Sequence, residues 1–246
     1  MAWTGRPAVA PGDRGSLLSR MPWVGALALL LGTLAQPLAA QLKSVPVYPL
    51  ITARQGWAVA LDYGSGLNDA SGHARHLGVR VGGGTGRLQL TAAAGAWDAG
   101  ASTSAQVGGT TRLRVLGNRT RGLALHAMAG AGYTRAGPAD TATTYLTFPL
   151  GIAVALSGLR TTRGAFTPWL ASRVEIAQTS FSTVRAAQNG VGISGGVAAA
   201  VRGRLGLHVA LDWLTTFNRS AVGITLPGGN RITAGVGVHV LLSGTP

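Results

Sequence analysis

Cysteine is absent from the 246-residue chain, which excludes disulfides and thiolate metal sites and suits an exported protein that folds without them. Charge is scarce. Charged residues make up 11%, where a water-soluble domain carries about a quarter. Aromatics are equally thin at 6%. The formal charge is +14, and Arg6, Arg14 and Arg20 against Asp13 account for +2 of it. The arginines come singly or in pairs along the whole chain, and Lys43 is the one lysine. Nucleic-acid binders instead cluster their cations on one face, so no nucleic-acid partner is expected. Anionic outer-membrane lipid and lipopolysaccharide are the expected counter-charge. Beyond the first 40 residues every apolar run is broken by Gly or Arg, so none is long enough for a transmembrane helix.

The N-terminal stretch is different. Residues 1–20 carry three arginines, Trp23 to Leu34 is an apolar run, and Leu38-Ala39-Ala40 offers small residues before Gln41. Basic, then apolar, then small is the order of a cleavable export signal, predicted over 1–40. An uncleaved anchor is the alternative, and Met21 is a second candidate start. A Pro-containing periplasmic segment (41–54) follows, and 55–246 is read as one domain.

What the chain has in abundance is glycine, 38 residues of it, and a strict period of two. Period two means strands with unlike faces. Trp57, Val59, Leu61 and Tyr63 share one face; Leu123, Leu125, Ala127, Ala129, Ala131 and Tyr133 repeat the pattern, as do Leu205, Leu207, Val209, Leu211 and Trp213. Ten such runs are found, with eight strands as the alternative. The other face carries Ala58, Ala60 and Asp62; Arg80; Arg112 and Arg114; His126; Arg173 and Glu175; His208 and Asp212; Gly235, Gly237 and His239. A soluble barrel packs its large apolar side chains inward. Here the glycines share the polar face, which fits a narrow interior, so the apolar face is read as lipid-facing and the polar face as lumen.

The connections agree. Short links follow strands two, four and eight (Gly83 to Gly86, Gly117 to Arg121, Arg202 to Arg204). Longer ones follow strands one, five, seven and nine, up to Thr215–Arg231. Trp57, Phe166 and Trp169 are assigned to one aromatic rim, and Tyr63, Trp97, Tyr133 and Trp213 to the other. On the export signal, the dyad repeat and this loop asymmetry, residues 55–242 resemble the small bacterial outer-membrane β-barrel proteins of the surface-antigen or opacity-like kind. The resemblance implies an all-β, antiparallel up-and-down transmembrane barrel with short periplasmic turns, assembled by the barrel-assembly machinery.

Two motifs suggest chemistry. Gly190-Val191-Gly192-Ile193-Ser194-Gly195 fits a dinucleotide fingerprint, but that needs a helix after the glycines, and only Val197–Val201 precedes Gly203. Gly192-Ile193-Ser194-Gly195-Gly196 fits a hydrolase elbow, with Asp212 and His239 following in triad order, yet the alternating helices of that fold are missing. If Gly203 centres a tight turn, Ser194 lies opposite Asp212, with His239 about 20 Å away at roughly 3.3 Å per residue. No enzyme is expected, no cofactor and no metal. The polar residues that remain (Asp62, Arg80, Arg112, Arg114, His126, Arg173, Glu175, His208 and Asp212) form a candidate lumen network. The function read from this is an integral outer-membrane barrel with a mainly structural or surface-exposed role and a lumen largely filled by side chains. The alternatives are a narrow anion-preferring pore and, third, a lipid- or peptide-acting membrane enzyme.

Overall fold

The computed structural model describes residues 56–69, 73–98, 103–118, 122–137, 142–161, 164–181, 184–202, 204–217, 219–221, 224–226 and 228–242. The export signal and the 41–54 segment lie outside the described residues. Ten strands build the barrel: β1 Gly56–Gly66, β2 Arg75–Thr85, β3 Leu88–Asp98, β4 Thr103–Gly117, β5 Gly122–Ala136, β6 Thr143–Ser157, β7 Gly164–Phe181, β8 Val184–Arg202, β9 Leu205–Thr216 and β10 Gly229–Leu241. Each pairs antiparallel with its sequence neighbour, and β1 pairs with β10, so the sheet closes with no free edge. Ten strands, not eight, is the number.

Register fixes the tilt. From Asp62 through β2, β3, β4, β5 and β6, cross-strand partners lead to Thr179 on β7. Through β10, β9 and β8 they lead to Thr167 on the same strand. The closing stagger is therefore twelve residues, which with ten strands tilts each strand by roughly 40°.

The period of two becomes two unlike surfaces. Leu61, Val209 and Leu211 stand 52–58% exposed on the outside, whereas Asp62 on the inside is 1% exposed. The outward apolar stretch is nearly constant: Leu123–Tyr133 on β5, Leu146–Leu156 on β6, Phe166–Ile176 on β7 and Val191–Val201 on β8. Ten residues on a strand tilted by roughly 40° rise about 25 Å, the height of the apolar band of a transmembrane barrel. Outward charges on the described strands sit only past one end of this band, at Arg75, Asp98, Arg135 and Arg185. An uncovered apolar belt on this scale far exceeds the few hundred Å² that a water-soluble monomer leaves exposed.

The turns at the opposite end are tight. Thr85 pairs with Leu88 around Gly86-Arg87, and Gly86 has φ 54°, the first central position at which a II′ hairpin takes glycine. Several expected details are corrected. The long loop expected after strand seven is replaced by strand: β7 runs to Phe181 and β8 starts at Val184, paired directly. Leu159–Thr161 after β6 folds back on β7 as a short strand, and the connection after β9 contains a small hairpin, Arg219–Ala221 with Ile224–Leu226. Trp97 and Trp169, assigned to rims, are buried inside at 3% and 7% exposure.

Candidate functional site: the lumen

The interior is organised in layers that can be followed along β9, whose inward residues are Gly206, His208, Ala210, Asp212 and Leu214. Each meets a different set of partners.

At Gly206 the His239 ring of β10 reaches over the glycine; a Cβ there would come within 2.2 Å of the ring. One layer on, His208 Nε2 stands 2.7 Å from Asp62 Oδ1, and Arg80 Nη2 donates to the same oxygen at 3.0 Å. Arg80 Nε lies 2.9 Å from Oδ2 as an ion-pair contact without hydrogen-bond geometry. Because the carboxylate can only accept, Nε2 carries the proton. The 3.3 Å approach of Arg80 Nη2 to that nitrogen is therefore a close contact and not a second hydrogen bond. The rings of His208 and His239 are 5.9 Å apart and tilted. Asp62 and His208 sit two strands apart, with Gly237 of β10 between them. A Cβ on Gly237 would lie 2.5 Å from the ring and 2.6 Å from Asp62 Oδ1. Glycine at 237 is what lets the two side chains meet.

Ala210 belongs to an apolar layer with Trp169, Ala171, Met128 and Ala153. Asp212 then takes the second ionic cluster. Arg173 reaches from β7 across Gly192 of β8 to Asp212 on β9, with Nη1 at 2.6 Å from Oδ1 and Nη2 at 3.2 Å from Oδ2. Its Nε donates to Glu175 at 3.3 Å. Ser194 lies directly opposite Asp212 in register; its Oγ donates to Asp212 at 2.5 Å and accepts from Arg173 Nη1 at 3.0 Å. A Cβ on Gly192 would meet the guanidinium at 2.8 Å. Both clusters thus use one device: a long polar side chain spans an intervening glycine to reach the next strand but one. Bidentate Arg–carboxylate pairing is the strong form of such a contact.

At the last layer Leu214 is 1% exposed, and its register partner is Arg231 on β10. Arg231 is 4% exposed, and its Nη1 and Nη2 have no hydrogen-bond partner among the described residues. The sequence pattern places it at the end of the Thr215–Arg231 connection, because apolar alternation starts only at Ile232. Counting back by two from Gly235 and Thr233 would have found it.

The other candidates lie apart from these clusters. Arg112 is buried opposite Gln89. Arg114 and His126 face each other across β4 and β5, half-buried near the tight-turn end, where Arg114 reaches the Gly86 carbonyl at 3.4 Å. Gln106 bonds His76, and Thr91 pairs with Thr110. The structure therefore brings together Asp62, Arg80 and His208 in one cluster and Arg173, Glu175 and Asp212 in another. His239 joins the first, so the three residues in triad order are not assembled. No group of three metal-ligating side chains occurs among the described residues.

No family model matches the sequence, and no curated protein is similar enough to match. Among solved structures, the chain is similar to the N-terminal β-barrel domain of Pseudomonas aeruginosa OprF (12% identity, 76% of this chain and 98% of that one, TM-score 0.37). It is also similar to the outer-membrane protease OmpT from Escherichia coli (9%, 76% and 94%, 0.38) and to LpxR from Salmonella typhimurium (8%, 76% and 99%, 0.39). Likeness at this level decides nothing about activity.

Proposed function

We propose that the chain is an integral barrel of the bacterial outer membrane, of the small surface-antigen or opacity-like kind. Its role is structural and surface-exposed, and its lumen is closed by its own side chains. One observation carries this reading. The groups that would line a channel are themselves buried: Asp62, Arg80, Arg173 and Asp212 are each 1–4% exposed, each paired with a partner on the adjacent strand or the next but one. With an even strand number, β1 starts and β10 ends on the tight-turn side, which is the periplasmic side of such barrels. The connections after β1, β5 and β9 then face outward.

A second reading, a narrow anion-preferring pore, is favoured by the charge balance. Inward charges among the described strands are Arg80, Arg112, Arg114, Arg173 and Arg231 against Asp62, Glu175 and Asp212. Planar-bilayer recording separates the two. The closed-lumen reading expects no stepwise conductance from the folded wild-type chain, and steps on removing both plugs in Arg80→Ala with Arg173→Ala. Steady anion-selective steps from the wild type would establish the pore instead.

No catalytic role is assigned to Ser194 and Asp212. Arg173 already occupies both oxygens of Asp212, and the nearest inward position of His239 is over Gly206, six residues along β9. That is roughly 20 Å at about 3.3 Å per residue, beyond the reach of a general base.

A further inference from the structure

The outer wall from β5 to β9 carries two features that the closed lumen does not explain, one lower than the other. Above the apolar band, Arg135, Thr144, Ser180 and Arg185 are consecutive cross-strand partners. Because such a row runs perpendicular to the tilted strands it climbs, with Arg185 about 10 Å higher than Arg135. All four are outward positions, and both arginines are exposed. The row therefore reads cation, hydroxyl, hydroxyl, cation, with the arginine Cα atoms about 14 Å apart over three strand spacings. Beneath it comes a transitional row of Tyr133, Leu146, Gln178 and Ala187. Lower on β6–β9 the wall is hollowed into a groove of about 430 Å³ between Ile152, Val174, Ile193 and Trp213, with Ser172 and Gly192 along it. From Val174 to Ser180 is six residues, roughly 20 Å along the strand and about 15 Å in height at this tilt.

We propose that this wall is a binding site for a phosphorylated, multiply acylated glycolipid of the outer leaflet, the lipid A class. Its phosphates sit on the Arg135–Thr144–Ser180–Arg185 row and one acyl chain lies in the groove below. The inference rests on the membrane orientation proposed above. Two guanidiniums held apart fit two separate phosphates better than one, and the hydroxyls between them donate to phosphate oxygens. Arginine is suited to the task because its planar fork pairs with phosphate bidentately. The drop from row to groove matches the length of an acyl chain, so headgroup and chain are engaged together. A free phosphate would use only the row, and an unphosphorylated lipid only the groove.

The test uses the full chain refolded into phosphatidylcholine vesicles containing bis-phosphorylated lipid A, then extracted in mild detergent and assayed for retained lipid A. Arg135→Gln with Arg185→Gln is expected to lower retention by about tenfold, the equivalent of about one charge-assisted hydrogen bond. Val174→Trp, which fills the groove, is expected to lower it as well. Arg75→Gln, an outward rim arginine off this wall, is expected to leave it unchanged, as is millimolar inorganic phosphate. Dephosphorylated lipid A should be retained no better by wild type than by the double variant. Equal retention by wild type and double variant, an equal loss in Arg75→Gln, or full competition by inorganic phosphate each overturns the proposal. The boiled and unboiled gel mobility of every variant reports the folded barrel separately, so failure of the membrane reading shows as a missing mobility shift and not as lost retention.

Discussion

At the scale of single residues, the two buried arginines nearest Asp212 are not equivalent. Arg173 satisfies Asp212 and Glu175 together, so Arg173→Met strands two carboxylates in a closed interior. Removing one partner of a buried ion pair costs about 3–5 kcal/mol. Arg231 is as deeply buried, but its terminal nitrogens make no hydrogen bond among the described residues. Arg231→Met is expected to cost less than about 1 kcal/mol, since no bonded group is orphaned. Urea unfolding midpoints of the two variants check the ordering. Gly237→Ala tests the glycine device. It forces His208 away from Asp62 and is expected to cost about 1–3 kcal/mol for the broken buried contact. The same substitution in a His208→Ala background should cost clearly less, a coupling that a double-mutant cycle reads.

Much of the polar interior was legible from parity alone, because a lipid-facing strand forces its alternate residues inward. The facing of Ser194 and Asp212 followed from placing a tight turn at Gly203. What parity could not reveal was reach. Nothing in the spacing of Arg173 or His208 shows that a glycine on the next strand clears a path to the strand beyond. Trp97 and Trp169 differ from the girdle pattern because their parity points inward: position near a strand end does not make an aromatic a rim residue when its face is the lumen.

At the scale of elements, the signal that identified the strands exists only where one face meets lipid. Beyond the band the outward residues meet water and turn polar or small, while inward ones such as Ala186 and Gln188 stay buried, so period-two hydropathy vanishes although the two faces still differ. Gln178-Thr179-Ser180 and Arg185-Ala186-Ala187-Gln188 therefore read as loop although β7 and β8 continue through them. The band itself is testable on one strand. Ala92 and Ala96 on β3 both face outward, Ala92 at mid-strand and Ala96 next to Asp98. Ala92→Arg is expected to cost about 2–4 kcal/mol and Ala96→Arg about 0–1 kcal/mol. Folding free energies in bilayers measure this, and equal costs would contradict the assigned band. The side of the native residue is held constant, which an inward control could not do. Ala210 faces the lumen but is packed against Trp169 and Ala171 and has no room for an arginine.

At the scale of the whole molecule, the barrel inverts the usual arrangement: apolar residues cover the outside, and the interior is held by ion pairs laid over glycines. The high glycine content follows from this, since a narrow lumen can be filled by long polar side chains only where neighbouring strands yield space. The cysteine-free sequence permits a direct reading of both surfaces. Val209→Cys and Ala210→Cys, adjacent on β9, are to be labelled in intact lipid vesicles with a membrane-impermeant maleimide and with a lipid-soluble one. The account predicts that cysteine at 209 reacts only with the lipid-soluble reagent and that cysteine at 210 reacts with neither. Reaction of the 210 site with the impermeant reagent would mean a water-filled lumen, and reaction of the 209 site with it would mean that the apolar face does not face lipid.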